Sequence, residues 1–537
     1  DDEKYVVRIY GRHADGSSIC VSTPFEPYFY LKIRAGHNFF QLQRALRERF
    51  AGLKSVEEVR GKDLWGFRNG LQERFVRLTF ETLRWMRICS GSLDKFEGFG
   101  RLKQYEANID PMLRFMHVTG IRSTGWFEVT AGIPDHNTTC TREFWVEDYK
   151  TLKPVNRDDV APLRILSFDI ECYSSTGEFP NPHTPQDVVF QIGMTWRQFG
   201  SSDPLVRKCL CLKQTQAEDC ESFETERALL QRFEQYLVQT VDPDIITGWN
   251  IFGFDLEYLQ VRSVLCGLAP TWGRYKDSPI ELVKKNLSSS ALGNNELKMV
   301  PMRGRYVFDF FQDVKREHKL ESYSLNNVSK HFLKDQKHDM PVKEIFGRFA
   351  EGDPKRLGEV AEYCLQDTLL PHKLLDKLCQ IQNQIEMAKA CWVPLSYLSE
   401  RGQQIKVFSQ MLRKARELGF MVPTLRVDRN AKTDDSYQGA TVLEAQTGAY
   451  YTPITALDFA SLYPSIMRAH NLCYSTIVTD SRYKNLPHVQ YETFGPHTFA
   501  QNVPSLLPIV LNELAEFRKK AKKDMAKAKG TPMEAVY

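Results

Sequence analysis

Apolar residues recur along this chain with two spacings, and the switches between them mark out its elements. Residues 4–11, KYVVRIYG, read as a strand, and 39–50, FFQLQRALRERF, place their apolar positions along one helical face. Up to about residue 155 the pattern is short strands with a few helices. RILSFDIE, 164–171, reads as a buried strand, and the loop after it, CYSSTGEFPNPHTPQD, is rich in Ser, Gly and Pro. A second strand, VVFQIGMTW, a helical stretch around 222–240 and then PDIITGWN continue an α/β alternation. SSSALGNN, 288–295, has the composition of a loop. Helical spacing returns over 355–380 and about 400–418. A polar linker, RVDRNAKTDDS, precedes a block that starts at Tyr437.

At 537 residues the chain is too long for one core, and length alone suggests roughly three or four domains. With 42% hydrophobic and 26% charged residues, the composition is that of a soluble globular protein. The apolar runs fall far short of the ~20 residues that span a bilayer, so no membrane partner is expected. There is no signal-like start. The chain opens Asp1-Asp2-Glu3 without a methionine and stops at Tyr537 within a helical pattern, so both ends are expected to be cut. Its 12 cysteines include no C-x-x-C pair, and the closest two are Cys209 and Cys211. That scatter argues against a zinc site or a disulfide framework and for a reducing compartment. The net charge of +4 is concentrated in residues 513–530, where Arg518, Lys519, Lys520, Lys522, Lys523, Lys527 and Lys529 face only three acids. Charge alone allows either a solvated helix face or a phosphate-binding one.

Alternate strand residues share a face, so Asp169 and Glu171 point one way and Phe168 and Ile170 the other. Paired acids at the end of a buried strand need neutralising, and Mg²⁺ takes such hard oxygen ligands. Taken alone, two polar strand-end residues explain DIE equally well. GWNIFGFDLEYL adds Asp255 after an apolar run, with Asn250 at a turn. AEYCLQDTLL puts Tyr363 and Asp367 four apart, on one face of a helix. Singly, Tyr363 could be a half-buried core tyrosine and Asp367 a surface acid. Together the four acids are what two-metal phosphodiester hydrolysis requires, with the tyrosine hydroxyl to orient the water.

FDIE, NIFGFD and YCLQD, in this order, resemble the three exonuclease motifs of the family B DNA polymerases, and SYSLNNVSKHFL, 322–333, resembles the segment before the third. The resemblance implies a ribonuclease-H-like fold performing 3′→5′ proofreading. Asp169, Glu171, Asp255 and Asp367 fall on its metal-ligand positions, and Tyr363 on the water-orienting one. LDFASLYPSIMRAHNLCYSTI resembles polymerase motif A in its delta-like replicative form. It implies Asp458 as a palm metal ligand and Phe459, Ala460, Ser461 and Leu462 as backbone contacts to the triphosphate. Tyr463 would pack under the sugar and exclude a 2′-hydroxyl. YQGATVLEA resembles the element that contacts template, with Tyr437 and Gly439. Asn250 and Phe254 are implied as DNA contacts at the exonuclease. LNELAEFRKKAKKDMAKAK resembles the first fingers helix, with Arg518 and Lys522 toward the incoming dNTP. GRHADGSSICVSTPFEPYFYLKI and YEANIDPMLRFMHVTGI resemble the delta-type N-terminal domain.

The expected architecture is multidomain α/β: a mixed α+β N-terminal domain over 1–158, the ribonuclease-H-like exonuclease over 159–380, and a helical connector over 381–436 packing back on the N-terminal domain. An α+β palm then begins over 437–505, and 506–537 starts the helical fingers. The implied cofactor is Mg²⁺, two per active site, with Mn²⁺ as a substitute. The implied partners are primer–template DNA, a single-stranded 3′ end, dNTPs, a sliding clamp and accessory subunits. The implied location is the nucleus for a cellular protein or the replication site for a viral one, with no secretion. The family's second palm carboxylate, in a Y-G-D-T-D-S type motif, and its K-x-x-x-N-S-x-Y-G element have no counterpart here. The expectation is therefore a complete exonuclease beside an incomplete polymerase site. The alternatives are half of a split polymerase, a non-catalytic DNA-binding or scaffolding fragment, or a stand-alone ribonuclease-H-like nuclease.

Overall fold

In the computed structural model, a six-stranded mixed sheet carries Asp169 and Glu171, two of the acids picked out above. The structure describes residues 4–530 apart from 35, 97, 158, 277, 290–292, 335–339 and 426–440. Contacts divide the chain into two units, one mainly Val6–Phe25 and Pro111–Ser409, the other mainly Glu26–Asp110 and Gln410–Lys527. The segment 1–158 is thus shared between the units, and the connector divides at Ser409.

In the first unit the sheet strands are β1 (Arg164–Cys172), β2 (Val189–Gln198), β3 (Val206–Leu212) and β4 (Cys220–Phe223). Helix α1 (Glu226–Gln235) follows, capped by Thr225, and a π-helical turn extends it to Thr240. Next come β5 (Ile245–Thr247), α2 (Asp255–Leu265), β6 (Tyr306–Val307), α3 (Phe310–Glu317), α4 (Leu325–Leu333) and α5 (Pro354–Lys377). The strand order is β4-β3-β2-β1-β5-β6. β1, β2 and β3 pair antiparallel, whereas β5 and β6 continue parallel to β1. One face of β1 (Leu166, Phe168, Ile170 and Cys172) enters the main core with Phe190, Ile192 and Phe233. The described residues of SSSALGNN lie on two strands, Val283–Ser289 and Gly293–Met299, that pair antiparallel, where composition had suggested a loop; residues 290–292 lie outside the described residues.

The opposite face of the sheet receives α5, and β2 holds it there. Residues 191, 193, 195 and 197 share one face of the strand. Gln191 Nε2 donates to the carbonyl of Leu357 at 2.9 Å, and Thr195 Oγ1 to that of Thr368 at 2.9 Å. Arg197 pairs with Asp376. At Gly193 the helix comes closest, for an added Cβ would lie 2.7 Å from Cys364 Sγ and 3.2 Å from its carbonyl oxygen. Asp353 caps α5 by accepting from the N–H of Arg356, and Pro354 fills its first position, where a missing N–H costs nothing.

A buried charge network ties the first strand of the chain to this unit. Arg12, on strand Val6–Arg12, donates through Nε to Asp244 Oδ2 at 2.7 Å. Arg274 Nε and Arg305 Nη1 reach Asp242 Oδ1 at 2.8 and 2.9 Å. Strand Ser18–Pro24 pairs parallel with Arg142–Trp145. These long-range links place residues 6–25 in the same unit as the six-stranded sheet.

The second unit contains a five-stranded sheet in which Leu53–Asp63 pairs with Glu73–Phe80 and, in parallel, with Phe420–Met421. Its core gathers Phe29, Leu31, Leu42, Leu46, Val76 and Leu78. Here too lie α6 (Leu462–Ala469) and α7 (Leu506–Lys527). Among the described residues no helix is long and apolar enough to cross a membrane.

Two outcomes are expected. Gly193→Ala forces α5 off the sheet, at a cost of ~1–3 kcal/mol for overpacking, read as a lower denaturation midpoint with unchanged far-ultraviolet dichroism. Arg12→Ala leaves Asp244 buried without one of its partners and costs about 3–5 kcal/mol. The network also sets a pH dependence. Burial alone would raise the Asp242 carboxyl, but Arg274, Arg305 and Arg12 outweigh it and hold it below its ordinary value. Its contribution is therefore complete above about pH 4, the unfolded value. It is lost as pH falls through the lower folded value, and denaturant titrations at stepped pH values will show that loss shrink in Arg12→Ala.

Candidate active site

Three elements bring the acids to one place. β1 supplies Asp169 and Glu171 on the face covered by α5, and both are half-buried. α5 supplies Tyr363 and Asp367, also half-buried, one turn apart. Asp255 opens α2 and is buried. One carboxylate oxygen each of Asp169 and Glu171 and the Cys364 sulfur lie within 4.8 Å of one another. Cys364 Sγ donates to the Asp169 carbonyl at 3.6 Å and approaches Oδ2 at 3.9 Å. Burial lifts the Cys172 thiol far above its ordinary range, and the charges of Asp255, Glu171 and Asp169 add to it. The hydrogen bond with Cys209 pulls the Cys364 thiol down, but burial and the charges of Asp169, Glu171 and Asp367 outweigh it and raise it. Both thiols thus register the same gathering of negative charge.

The loop leading to Asp255 is shaped by close backbone approaches. A Cβ on Gly248 would stand 2.6 Å from the Phe168 carbonyl oxygen, so only glycine lets the loop cross β1 there. Asn250 adopts φ +63°, a left-handed conformation that asparagine tolerates better than most residues. Asp309 then fastens the loop. Its carboxylate accepts from the N–H groups of Asn250 at 2.9 Å, Phe252 at 3.1 Å and, as cap of α3, Phe311 at 3.1 Å. Burial pushes Asp309 up to about 7, against the pull of those three donors. The sequence reading passed over this residue. Its signal was there: an acid inside the apolar run YVFDFF, as Asp169 stands inside LSFDI.

Asp255 is pushed up to about 8, first by burial and then by the charges of Asp309 and Asp367. Carboxylates crowded this closely cannot all ionise without a counter-charge. A hard divalent cation supplies one, and an all-oxygen set of four carboxylates is the donor chemistry Mg²⁺ takes. The residues present therefore fit that ion. Phe254 is half-buried beside Asp255, its ring 5.0 Å from Tyr258 and 5.2 Å from Phe179. Phe179 is 79% exposed. It escaped notice because it sits in a Ser/Gly/Pro loop, where a lone aromatic carries no periodic signal.

The second set of predicted residues lies in the other unit. Asp458, Phe459 and Ala460 stand in an exposed segment without helix or strand, and Ser461, at φ +55°, precedes α6. Leu462 and Tyr463 open that helix, with Tyr463 71% exposed. Arg518 and Lys522 are exposed on α7. Among the described residues no hydrogen bond or ion pair joins Asp458 to either cation. Tyr437 and Gly439 lie outside the described residues.

Comparison with known proteins accords with this layout. The family model for the DNA polymerase family B exonuclease domain matches residues 102–328, and that for DNA polymerase family B matches 393–537. The chain belongs to DNA polymerase family B. Among its relatives are the DNA polymerase delta catalytic subunit of Arabidopsis thaliana, 38% identical, and a DNA polymerase of Paramecium bursaria Chlorella virus NY2A, 36% identical. Each alignment takes in 99% of this chain, and the chain covers 51% and 60% of those proteins. In fold it is similar to the family B DNA polymerase of the archaeon Pyrobaculum calidifontis. There the TM-score is 0.73 at 22% identity, over 100% of this chain and 64% of that one. The matched ranges contain Asp169, Glu171, Asp255 and Asp458, whereas Tyr363 and Asp367 fall between them.

Proposed function

We propose that this chain carries the 3′→5′ proofreading exonuclease and the opening of the palm of a delta-type replicative DNA polymerase. The observation that supports this reading is the convergence of Asp169, Glu171, Asp255 and Asp367 on one place, with Asp255 pushed up first by burial and then by the charges of Asp309 and Asp367. Two Mg²⁺ ions held by these carboxylates, or Mn²⁺ in their stead, would supply the attacking hydroxide and stabilise the leaving 3′ oxygen.

The chain's own groups do the rest. The Tyr363 hydroxyl orients the attacking water. Asp309 holds the loop that delivers Asp255. The Phe254–Phe179 pair offers a face on which an unpaired 3′-terminal base stacks, beside Asn250. In the palm, Asp458 is a metal ligand, Phe459–Leu462 and Arg518 and Lys522 serve the dNTP phosphates, and Tyr463 excludes ribonucleotides by volume. Tyr437 and Gly439 contact the template. Primer–template DNA, a sliding clamp and accessory subunits are the partners of this reading. Its place of work is the nucleus or, for a virus, the replication site.

The test is hydrolysis of 5′-labelled single-stranded and primed DNA by the purified chain in Mg²⁺. Shortening from the 3′ end is expected, abolished by chelator and restored by Mg²⁺ or Mn²⁺. Asp169→Ala with Glu171→Ala lowers the rate by on the order of 10³-fold or more, the loss of several kcal/mol of metal-borne stabilisation. Retained DNA binding with no metal-dependent cleavage by the parent chain would favour the scaffolding alternative. Phe179→Ala is expected to raise KM for single-stranded DNA about tenfold, within the ~1–3 kcal/mol of one stacked base, and to leave kcat unchanged.

A further inference from the structure

Three cysteines that the chain scatters over twelve positions meet on the face of the sheet that α5 covers. The register explains how. Cys220 on β4 lies beside Cys209 on β3, which lies beside Gly193 on β2, which lies beside Asp169 on β1. Cys211, two residues from Cys209, shares its face. The sulfurs of Cys209, Cys211 and Cys220 all lie within 4.8 Å of one another, and Cys209 and Cys211 are 3.6 Å apart. Cys209 and Cys211 are fully buried against Ala361 and Leu365 of α5, whereas Cys220 is half-buried. The Cys364 thiol, above Gly193, hydrogen-bonds Cys209 and also reaches Asp169.

We infer that Cys209, Cys211 and Cys220 form a thiolate site for a thiophilic d¹⁰ cation, zinc in class, at the edge of the exonuclease sheet. Zinc bound at ~2.3 Å to each sulfur sets tetrahedral S···S edges of ~3.8 Å; Cys209 and Cys211 stand 3.6 Å apart and all three sulfurs lie within 4.8 Å, so the ion needs no change of register. The donor set is sulfur only, which separates it in kind from the oxygen set at Asp169 and Glu171 and selects soft cations over Mg²⁺. Zinc takes its sulfur ligands as thiolates, so binding releases thiol protons to solvent and the site tightens as pH rises. The bound ion joins β3 to the short edge strand β4 under the helix that carries Tyr363 and Asp367. It is a positioning element and takes no part in hydrolysis.

The test uses the 537-residue chain, stripped of metal by chelator under reductant and then kept in excess Mg²⁺ so that the carboxylates stay occupied. Cd²⁺ is titrated in, and its ultraviolet thiolate charge-transfer band is read with the metal retained after gel filtration. The expected result is one equivalent held, with a zinc-loaded sample showing three sulfur neighbours at about 2.3 Å by X-ray absorption. Cys220→Ser, at the half-buried position, lowers affinity at least about tenfold, the effect of losing even an outer-shell partner. Cys211→Ser with Cys220→Ser removes the equivalent, and Cys379→Ser, outside the trio, leaves it in place. Uptake unchanged in the double variant, with dichroism confirming its fold, overturns the proposal. So does the absence of a thiolate band in the parent chain, or a Cys209–Cys220 disulfide that persists in reductant and zinc. None of these outcomes depends on whether the chain cleaves DNA.

Discussion

The close seating of α5 on β2 is the constraint on which the exonuclease site depends. Two of the proposed acids sit on the strand β1, and Tyr363 and Asp367 on a helix nearly two hundred residues away in sequence. They meet because one face of β2 is built to receive the helix, with a glycine under Cys364, flanked by Gln191 and Thr195 donating to helix carbonyls. A side chain at 193 would lift Tyr363 and Asp367 away from Asp169 and Glu171. A protein interior packs too densely to absorb such a shift elsewhere.

Electrostatics opposes what packing achieves. Burial raises the proton affinity of Asp255, the most buried of the four acids, and the charges of Asp309 and Asp367 add to it. The backbone N–H groups that Asp309 accepts offset part of its own burial and hold the loop in a shape that nothing local dictates. The result is a site of stored negative charge suited to divalent cations. Two strands along the same row lies a different donor set, three thiols, with Gly193 between the two sets and Cys364 reaching both Asp169 and Cys209.

The palm segment contrasts with this. Leu457, Asp458 and Phe459 stand exposed in a stretch without helix or strand, although their sequence is as distinctive as that of β1. A motif can be fully legible and still be unassembled, because the chemistry it encodes needs neighbours that the residues themselves do not specify. The thiol trio is the reverse. No spacing rule marks Cys209, Cys211 and Cys220, yet the register of three strands gathers them.

Much of the site was legible because its residues obey local rules. Alternation put Asp169 and Glu171 on one strand face, a four-residue step put Tyr363 and Asp367 on one helix face, and the order of the blocks, with their resemblance to family B polymerases, tied them together. What the sequence by itself determined was therefore the set of elements and the side of each that bears chemistry. Those depend on periodicities of two and 3.6 residues that any window of the chain displays. Tertiary structure alone decided which sides face one another. The seat at Gly193, the triple acceptance by Asp309, the Phe179–Phe254 pair, the capture of residues 6–25 by Asp242 and Asp244, and the meeting of the cysteines all rest on contacts between residues far apart in the chain. Their distances follow from strand register and close packing, and no local pattern encodes either.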